Sequence, residues 1–293
     1  MNTTLINLEE VLLEACKRGR ISLLRIKSEG NLNIRTKDDS NGGSSVVTRA
    51  DTETEQLLRD YFKEQLPEFN FLGEEEGSHT EETRKAVIVD PLDCTKGFLQ
   101  GLDNFGLILG VYVNGINVAG AICDATRGTI YYATHSGDLR RYGPEDQSER
   151  GAIYFLQSSR TPHINDAVEQ ALREEFPDHA SKDLIKVQQP HVLNQCRVFA
   201  GRADAFFHAG LARHDIAAAP LFGRITNTLV TDHAGKPYEL VDVGQEIRKY
   251  RDGRKEVVYS LPVVVAKQDI HVRMLRALKP FSRDFDKMRS PIY

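Results

Sequence analysis

Tryptophan is absent from this 293-residue chain, methionine occurs three times and cysteine four times. Cys16, Cys94, Cys123 and Cys196 are scattered, with no C-x-x-C pair. That spacing excludes a disulfide framework or a cysteine-built zinc site and fits reduced thiols in a cytoplasmic protein. No apolar run approaches the roughly 18 residues of a membrane-spanning helix. The opening MNTTLINLEEVLLEACKRGR is amphipathic and acidic early, unlike a secretory leader. Neither sign of charge dominates: 38 Lys and Arg face 42 Asp and Glu, a net of −4. The balance argues against a nucleic-acid polymer as partner, because such binders carry a basic face. Hydrophobic residues make up 40%, too many for a disordered chain. At about 100–200 residues per domain, the length suits one large domain or two packed subdomains.

Along residues 5–27, Leu8, Val11, Leu12, Ala15, Leu23, Leu24 and Ile26 recur at mostly helical spacing, which predicts a helix with one apolar face. Residues 35–47, RTKDDSNGGSSVV, read as a loop, and a second helix is expected over 52–66. From 69 to 142 the period changes. Short Val-, Ile-, Phe- and Tyr-rich runs at 69–72, 86–90, 106–113, 118–124 and 129–133 predict a mainly antiparallel sheet, with Asn114-Gly115 as a hairpin turn. The second half alternates: strands at 152–156, 203–207 and 257–266, helices at 164–175, 190–200, 215–224 and 268–279. The charged stretch 244–256 reads as a solvated hairpin or loop. The expected organisation is an N-terminal α+β subdomain over residues 1–145, carrying most of the acidic motifs, and a C-terminal α/β subdomain over 146–293 that completes the site.

Three acidic clusters sit at the edges of apolar runs. The hexapeptide DPLDCT, residues 90–95, follows AVIV. Pro91 withholds a ladder hydrogen bond and keeps the chain extended, so the carbonyl of Leu92 lacks a regular partner between Asp90 and Asp93. Two carboxylates and a carbonyl within four residues make a hard-oxygen cradle suited to Mg²⁺. A short helix starting beside Cys94, Thr95 and Lys96 would add backbone N–H groups that favour phosphate. An Asp-Pro turn with solvated acids is the plainer alternative. Glu74, Glu75 and Glu76 follow Gly73 and repel one another unless a cation or water screens them, although an acidic surface loop reads the same way. Asp215 opens the run DIAAAPLF and could be a simple helix cap. In VVTRAD, Thr48 or Asp51 could cap the next helix, and Asp51 could also orient a hydroxyl, for which Thr95 is the natural partner.

In order, VTRAD, FLGEEEG, DPLDCTKGF, AGRADAFF and HDIAA resemble the signature series of the inositol monophosphatase-like superfamily, over about residues 5–280. The resemblance implies a layered α/β/α/β/α sandwich within the α+β and α/β class. It implies a lithium-sensitive phosphomonoesterase, a phosphoric monoester hydrolase with two or three Mg²⁺ per active site. Glu74 would ligate a metal, with Glu75 in support; Asp90 would bridge two metals, the Leu92 carbonyl would complete the first site, and Asp93 and Asp215 would hold the second. Thr95, paired with Asp51, would orient or deprotonate the attacking water, and phosphate would lie against the N–H groups of Cys94 and Thr95. A homodimer is also raised by the resemblance, though no feature of the sequence fixes it.

Several positions depart from the family pattern. Cys94 stands where the family has Gly, and a position needing a Gly-only conformation would force the loop to shift. His214 replaces a Trp, Ala218 a Gly, and Pro190-His191 a Gly-Ser. His208 falls where a glutamate contacts the inositol ring, which argues against inositol phosphate. Lys96 in DPLDCTK points toward the bisphosphate-nucleotidase branch. Lys96, His208 and His214, with Cys94 and Thr95, are therefore the expected substrate contacts. The first expected substrate is a 3'(2'),5'-bisphosphate nucleotide and the second an inositol or sugar phosphate. A non-catalytic nucleotide- or metal-binding regulator is the remaining alternative. The loop at 37–45 could act as a lid, with Lys37 meeting phosphate.

Overall fold

Strand residues of the first half alternate between two different cores, and this alternation builds the layers. A computed structural model describes residues 7–38, 44–75, 84–145, 150–156, 162–182, 185–188, 193–238, 247–249, 255–257 and 261–289. In chain order the first half comprises α1 (Leu8–Glu29), β1 (Arg35–Asp38), β2 (Ser44–Val47), α2 (Arg49–Gln65), β3 (Asn70–Gly73), β4 (Lys85–Asp93), α3 (Thr95–Leu99), β5 (Gly106–Val113), β6 (Ile116–Asp124), β7 (Thr129–Thr134) and β8 (Arg140–Tyr142). The second half comprises β9 (Ala152–Leu156), α4 (Asn165–Glu175), α5 (Pro177–Ser181), β10 (Ile185–Gln188), α6 (Leu193–Phe199), β11 (Ala203–Leu211), α7 (Ala219–Thr226), β12 (Thr228–Thr231), β13 (Ile247–Lys249), β14 (Lys255–Val257), β15 (Leu261–Lys267), α8 (Gln268–Leu278) and α9 (Ser282–Arg289).

β3 to β8 form a six-stranded sheet in sequential order, antiparallel except for the parallel pair β3–β4. A second sheet runs β10-β9-β11-β15-β12. Successive strand side chains point to opposite faces. On β4 and β5, Val87, Val89, Leu107, Leu109 and Val111 therefore pack with Leu12, Leu23, Leu58 and Phe62 of α1 and α2. Their neighbours Ile88, Ile108 and Tyr112 join Cys196 and Phe199 of α6, Leu221 and Phe222 of α7, and Phe206, Val263 and Val265 of the second sheet. The far face of that sheet, with Phe207, Val264 and Ala266, packs on Leu172, Met274 and Phe285. The result is the expected α/β/α/β/α sandwich. Burying these side chains supplies most of the driving force, at about 25 cal/mol per Å² of apolar surface.

Local signals set the ends of α1: the Asn7 side chain accepts from Glu10 N, and Gly30 takes a left-handed conformation (φ 71°). Some expectations need correction. The stretch 35–47 is not all loop: β1 and β2 pair antiparallel, Arg35 opposite Val47. The tip, residues 39–43, lies outside the described residues, as does the side chain of Lys37, so the lid does too. The helix expected over 215–224 is a 3-10 turn, His214–Ile216, followed by α7 from Ala219. Pro220 explains the fresh start, since proline favours the first turn of a helix. The strand expected over 257–266 ends one hairpin (β13 with β14) and supplies β15. Helix α6 begins at Leu193, and Pro190-His191 lies outside the described residues.

Candidate active site

β4 delivers the first acids. Asp90 pairs with Ile108 and Asp93 with Gly106, so three steps on β4 match two on β5, with Pro91 inside the irregularity. Such a bulge re-aims side chains at a strand end. Asp90 and Asp93 are buried, at 1% and 6% exposure. Leu92 N donates to Asp90 Oδ1 at 3.0 Å, which fixes that carboxylate. Asp215 arrives from the second sheet on the 3-10 turn after β11, a turn that packs on β4 and β5. Its Oδ2 accepts from Ala212 N at 2.6 Å, and its carbonyl accepts from the buried Gln195 Nε2 at 2.8 Å.

Two overlapping groups of candidate ligand atoms result. Asp90, Asp93 and Asp215 form one, and Glu74, Asp90 and His214 the other, each group offering atoms that lie within 4.8 Å of one another. Acids from three separate segments (the end of β3, β4 and the turn after β11) thus converge, with Asp90 common to both groups. Their electrostatics match a cation centre. Burial and then the Glu74, Asp93 and Asp215 charges push the Asp90 carboxyl well above the usual range. Burial pushes Asp215 up to about 6, with Glu74 and Asp93 adding to the rise and His214 opposing it. For His214, burial alone would lower the pKa, but the Glu74 and Asp215 carboxylates outweigh it and raise it to about 9. Buried, mutually repelling carboxylates are stabilised by a bound divalent cation, so the donor set fits Mg²⁺.

Thr95 and Asp51, far apart in the chain, meet in the structure. Thr95 Oγ1 donates to Asp51 Oδ1 at 3.0 Å and also approaches the Leu92 carbonyl at 3.2 Å. Asp51 Oδ2 accepts from Thr48 N at 2.7 Å and Thr48 Oγ1 at 2.6 Å, while Ala50 N donates to Thr48 Oγ1 at 3.0 Å. Asp51 thus closes the α2 capping box through Oδ2, with Thr48 as the N-cap, and meets the Thr95 hydroxyl through Oδ1. Asp51 is 1% exposed, and burial raises its pKa to about 6 against the opposing Thr48 bonds.

Other expected residues fare differently. Cys94 takes a left-handed backbone (φ 67°, ψ 47°), the conformation glycine adopts most readily. Lys96 is exposed on α3. Glu75 contributes its backbone N–H, donating to Glu55 Oε2 at 2.8 Å; its side chain is in neither ligand group. Glu76 lies outside the described residues. His208 is buried, its Nδ1 accepts from Gly210 N at 2.9 Å, and neither ligand group includes it. His214, expected against substrate, has a ring nitrogen in the group with Glu74 and Asp90. Sequence reasoning missed Glu55 and Gln195, which hold the loops of Glu74–Glu75 and Asp215.

The sequence profile of the inositol monophosphatase family matches residues 7–277. The chain belongs to that family. It is 28% identical over 221 residues to the inositol-1-monophosphatase of Mycobacterium bovis, covering 70% of this chain and 73% of the relative. It is 26% identical over 242 residues to inositol monophosphatase 1 of Bos taurus, covering 78% and 83%. The fold is similar to the extragenic suppressor protein suhB from Bartonella henselae, with TM-score 0.71, 23% identity, and 93% and 98% of the two chains covered. A solved IMPase/NADP phosphatase complexed with Mg²⁺ and phosphate superposes with TM-score 0.70 at 18% identity, covering 94% of this chain and 96% of that one. Among the described residues, no helix is long and apolar enough to cross a membrane.

Proposed function

We propose that this chain hydrolyses a small inositol- or sugar-phosphate monoester at the Asp90 centre, with Mg²⁺ as cofactor. The observation that carries the reading is the convergence of Glu74, Asp90, Asp93 and Asp215 within reach of shared cations, joined by the Thr95–Asp51 hydrogen bond. Inositol phosphate moves ahead of the 3'(2'),5'-bisphosphate nucleotide because the curated relatives are named inositol monophosphatases. His208 also loses its weight against inositol, since its ring is buried in β11.

Glu74, Asp90 and the Leu92 carbonyl would hold one cation, and Asp90, Asp93 and Asp215 another, with Asp90 shared. When bound, Mg²⁺ neutralises charge on the phosphoryl oxygens and lowers the pKa of a water it ligates. The chain's own groups do the positioning. Asp51 accepts the Thr95 hydroxyl proton, which leaves the Thr95 oxygen lone pairs to receive a hydrogen bond from the attacking water. That would orient the attacking water, and as its proton passes to Thr95 Oγ1 the Thr95 proton would pass to Asp51. The Cys94 and Thr95 backbone and the exposed Lys96 lie beside this point and supply positive potential for phosphate.

A phosphate-release panel tests the reading: inositol 1-phosphate, fructose 1,6-bisphosphate and 3'-phosphoadenosine 5'-phosphate, each with Mg²⁺ and with EDTA. Inositol 1-phosphate should be hydrolysed fastest, EDTA should abolish release, and Asp93→Asn should cost orders of magnitude. A nucleotide turned over fastest restores the bisphosphate-nucleotidase reading. A blank panel with intact metal binding leaves a regulator on the same scaffold.

A further inference from the structure

We propose that His214 is a metal ligand, giving the Glu74–Asp90 site a nitrogen donor that favours a transition-metal ion such as Mn²⁺ over Mg²⁺. The inference rests on the metal centre proposed above, not on the identity of the substrate.

The geometry is specific. His214 Nε2 stands 3.5 Å from Glu74 Oε1 and 3.8 Å from Asp215 Oδ1. A ring nitrogen of His214, a Glu74 oxygen and an Asp90 oxygen all lie within 4.8 Å of one another. Around an octahedral ion with ligand distances of about 2.1 Å, adjacent donors sit roughly 3 Å apart and opposite donors roughly 4 Å apart. The 3.5 Å between His214 Nε2 and Glu74 Oε1 falls in the range of two donors facing one ion. His214 belongs to the same 3-10 turn as Asp215, and that turn is fixed through the Asp215 side chain (Ala212 N) and carbonyl (Gln195 Nε2). The imidazole is thus carried on a positioned segment, and a metal ion bound there would displace the proton that Glu74 and Asp215 otherwise favour at its Nε2.

The chemistry then separates the metals. Mg²⁺ is a hard ion that takes oxygen donors and keeps several waters. Imidazole suits Zn, Cu, Fe and Ni, and divalent affinity rises from Mn²⁺ along the series toward Cu²⁺. Asp90, Asp93 and Asp215 form an all-oxygen group suited to Mg²⁺. Glu74, Asp90 and His214 form a mixed group. The two metal positions of this chain would therefore differ in preference, one generic and one set by His214.

Mn²⁺ reports on this without turnover. The full chain, free of phosphate, is titrated with Mn²⁺ and with Mg²⁺ by calorimetry, and bound Mn²⁺ is read by electron spin-echo envelope modulation with and without isotopically labelled histidine. The expected result is a directly coordinated histidine nitrogen in the wild type. That signal should be lost in His214→Gln, with Mn²⁺ affinity falling on the order of tenfold, comparable to losing a metal-supporting group, and Mg²⁺ affinity changing much less. His214→Asn serves as a second variant, and the wild-type spectrum depends on neither. Bound Mn²⁺ without nitrogen coupling, or coupling that survives in both variants, overturns the assignment while leaving the carboxylate centre and the phosphatase reading in place. No Mn²⁺ binding overturns the assignment together with the metal centre. A nitrogen signal in a protein inert toward the phosphate panel keeps His214 as ligand and removes only the proposed activity.

Discussion

A Cβ atom placed on Gly73 would lie 2.2 Å from the carboxyl carbon of Glu55 and 2.3 Å from both its oxygens. Glu55 is 1% exposed on α2, and its carboxylate accepts from Glu75 N at 2.8 Å and an Arg59 guanidinium nitrogen at 2.9 Å. The loop that presents Glu74 is therefore seated directly on a buried acid, and only glycine leaves room.

Gly73→Ala should displace that loop. Overpacking of this kind costs about 1–3 kcal/mol, and the shift should weaken metal binding by on the order of ten- to a hundredfold, as loss of ligand support does. Thermal unfolding and a Mn²⁺ titration on the same sample check both. Glu55→Gln keeps the shape, but one of the two donors then faces an amide N–H₂, so a stability loss of about 1–3 kcal/mol is expected. An alanine variant with native metal affinity would show that Glu55 does not position Glu74.

Much of this site was legible in the chain, for a physical reason. Cation-binding acids must stand at strand ends and loop starts, so they interrupt apolar runs at recognisable places: Asp90 after AVIV, Glu74 after FNFL, Asp215 before an alanine-rich run. Glu55 was not legible as a surface-like residue in TETEQLL, yet Asp51, Glu55, Leu58 and Phe62 fall on one helical face, and all four are buried. That spacing was the available signal. The β1–β2 hairpin was missed because a polar, Gly- and Asn-rich stretch suits a loop equally well. The role of His214 depends on the Glu74 loop and the Asp215 turn meeting across two sheets, which no local pattern encodes.

Thr95 and Asp51 yield a kinetic prediction. Thr95→Ala removes the hydroxyl but neither a candidate ligand side chain nor core volume. The catalytic rate should fall by about 10²–10⁴-fold, the usual loss for a proton-handling group, while Mn²⁺ affinity and unfolding temperature stay near wild type. Thr95→Ser, which keeps the Oγ1 donor for Asp51, should recover most of the rate. If serine is as slow as alanine, the hydroxyl is not the operative group.

Cys94 holds φ 67°, ψ 47° with a side chain attached. A left-handed conformation costs a non-glycine residue roughly 1–2 kcal/mol. Cys94→Gly removes that strain but adds freedom to the unfolded chain, so a net stabilisation of up to about 1 kcal/mol is expected. Cys94→Val should destabilise, because β-branched residues tolerate positive φ least. Urea midpoints of the three proteins, measured side by side, test the order Gly, Cys, Val. A glycine variant below wild type would mean that packing of the thiol outweighs the backbone term.

Asp204 gives a pH-dependent prediction away from the metal centre. Its Oδ1 accepts from Lys267 Nζ at 2.6 Å at the end of β15, and its Oδ2 lies 3.0 Å from His179 Nε2 on α5. Burial by itself would raise the carboxyl, but the hydrogen bonds from Lys267 and His179 outweigh it and hold it below its ordinary range. The folded state therefore binds the proton less readily than the unfolded state. The stabilisation is present above the unfolded value of about 4 and is lost as pH falls through the lower folded value. Asp204→Asn should be less stable than wild type by about 1 kcal/mol near pH 7, the size of a partly screened ion pair. The gap should close as the pH is taken below about 4. Urea unfolding of both proteins across that range gives the difference directly. Two stability curves that remain parallel into acid would mean that the Asp204 charge contributes nothing to the anchoring of β11 against β15 and α5.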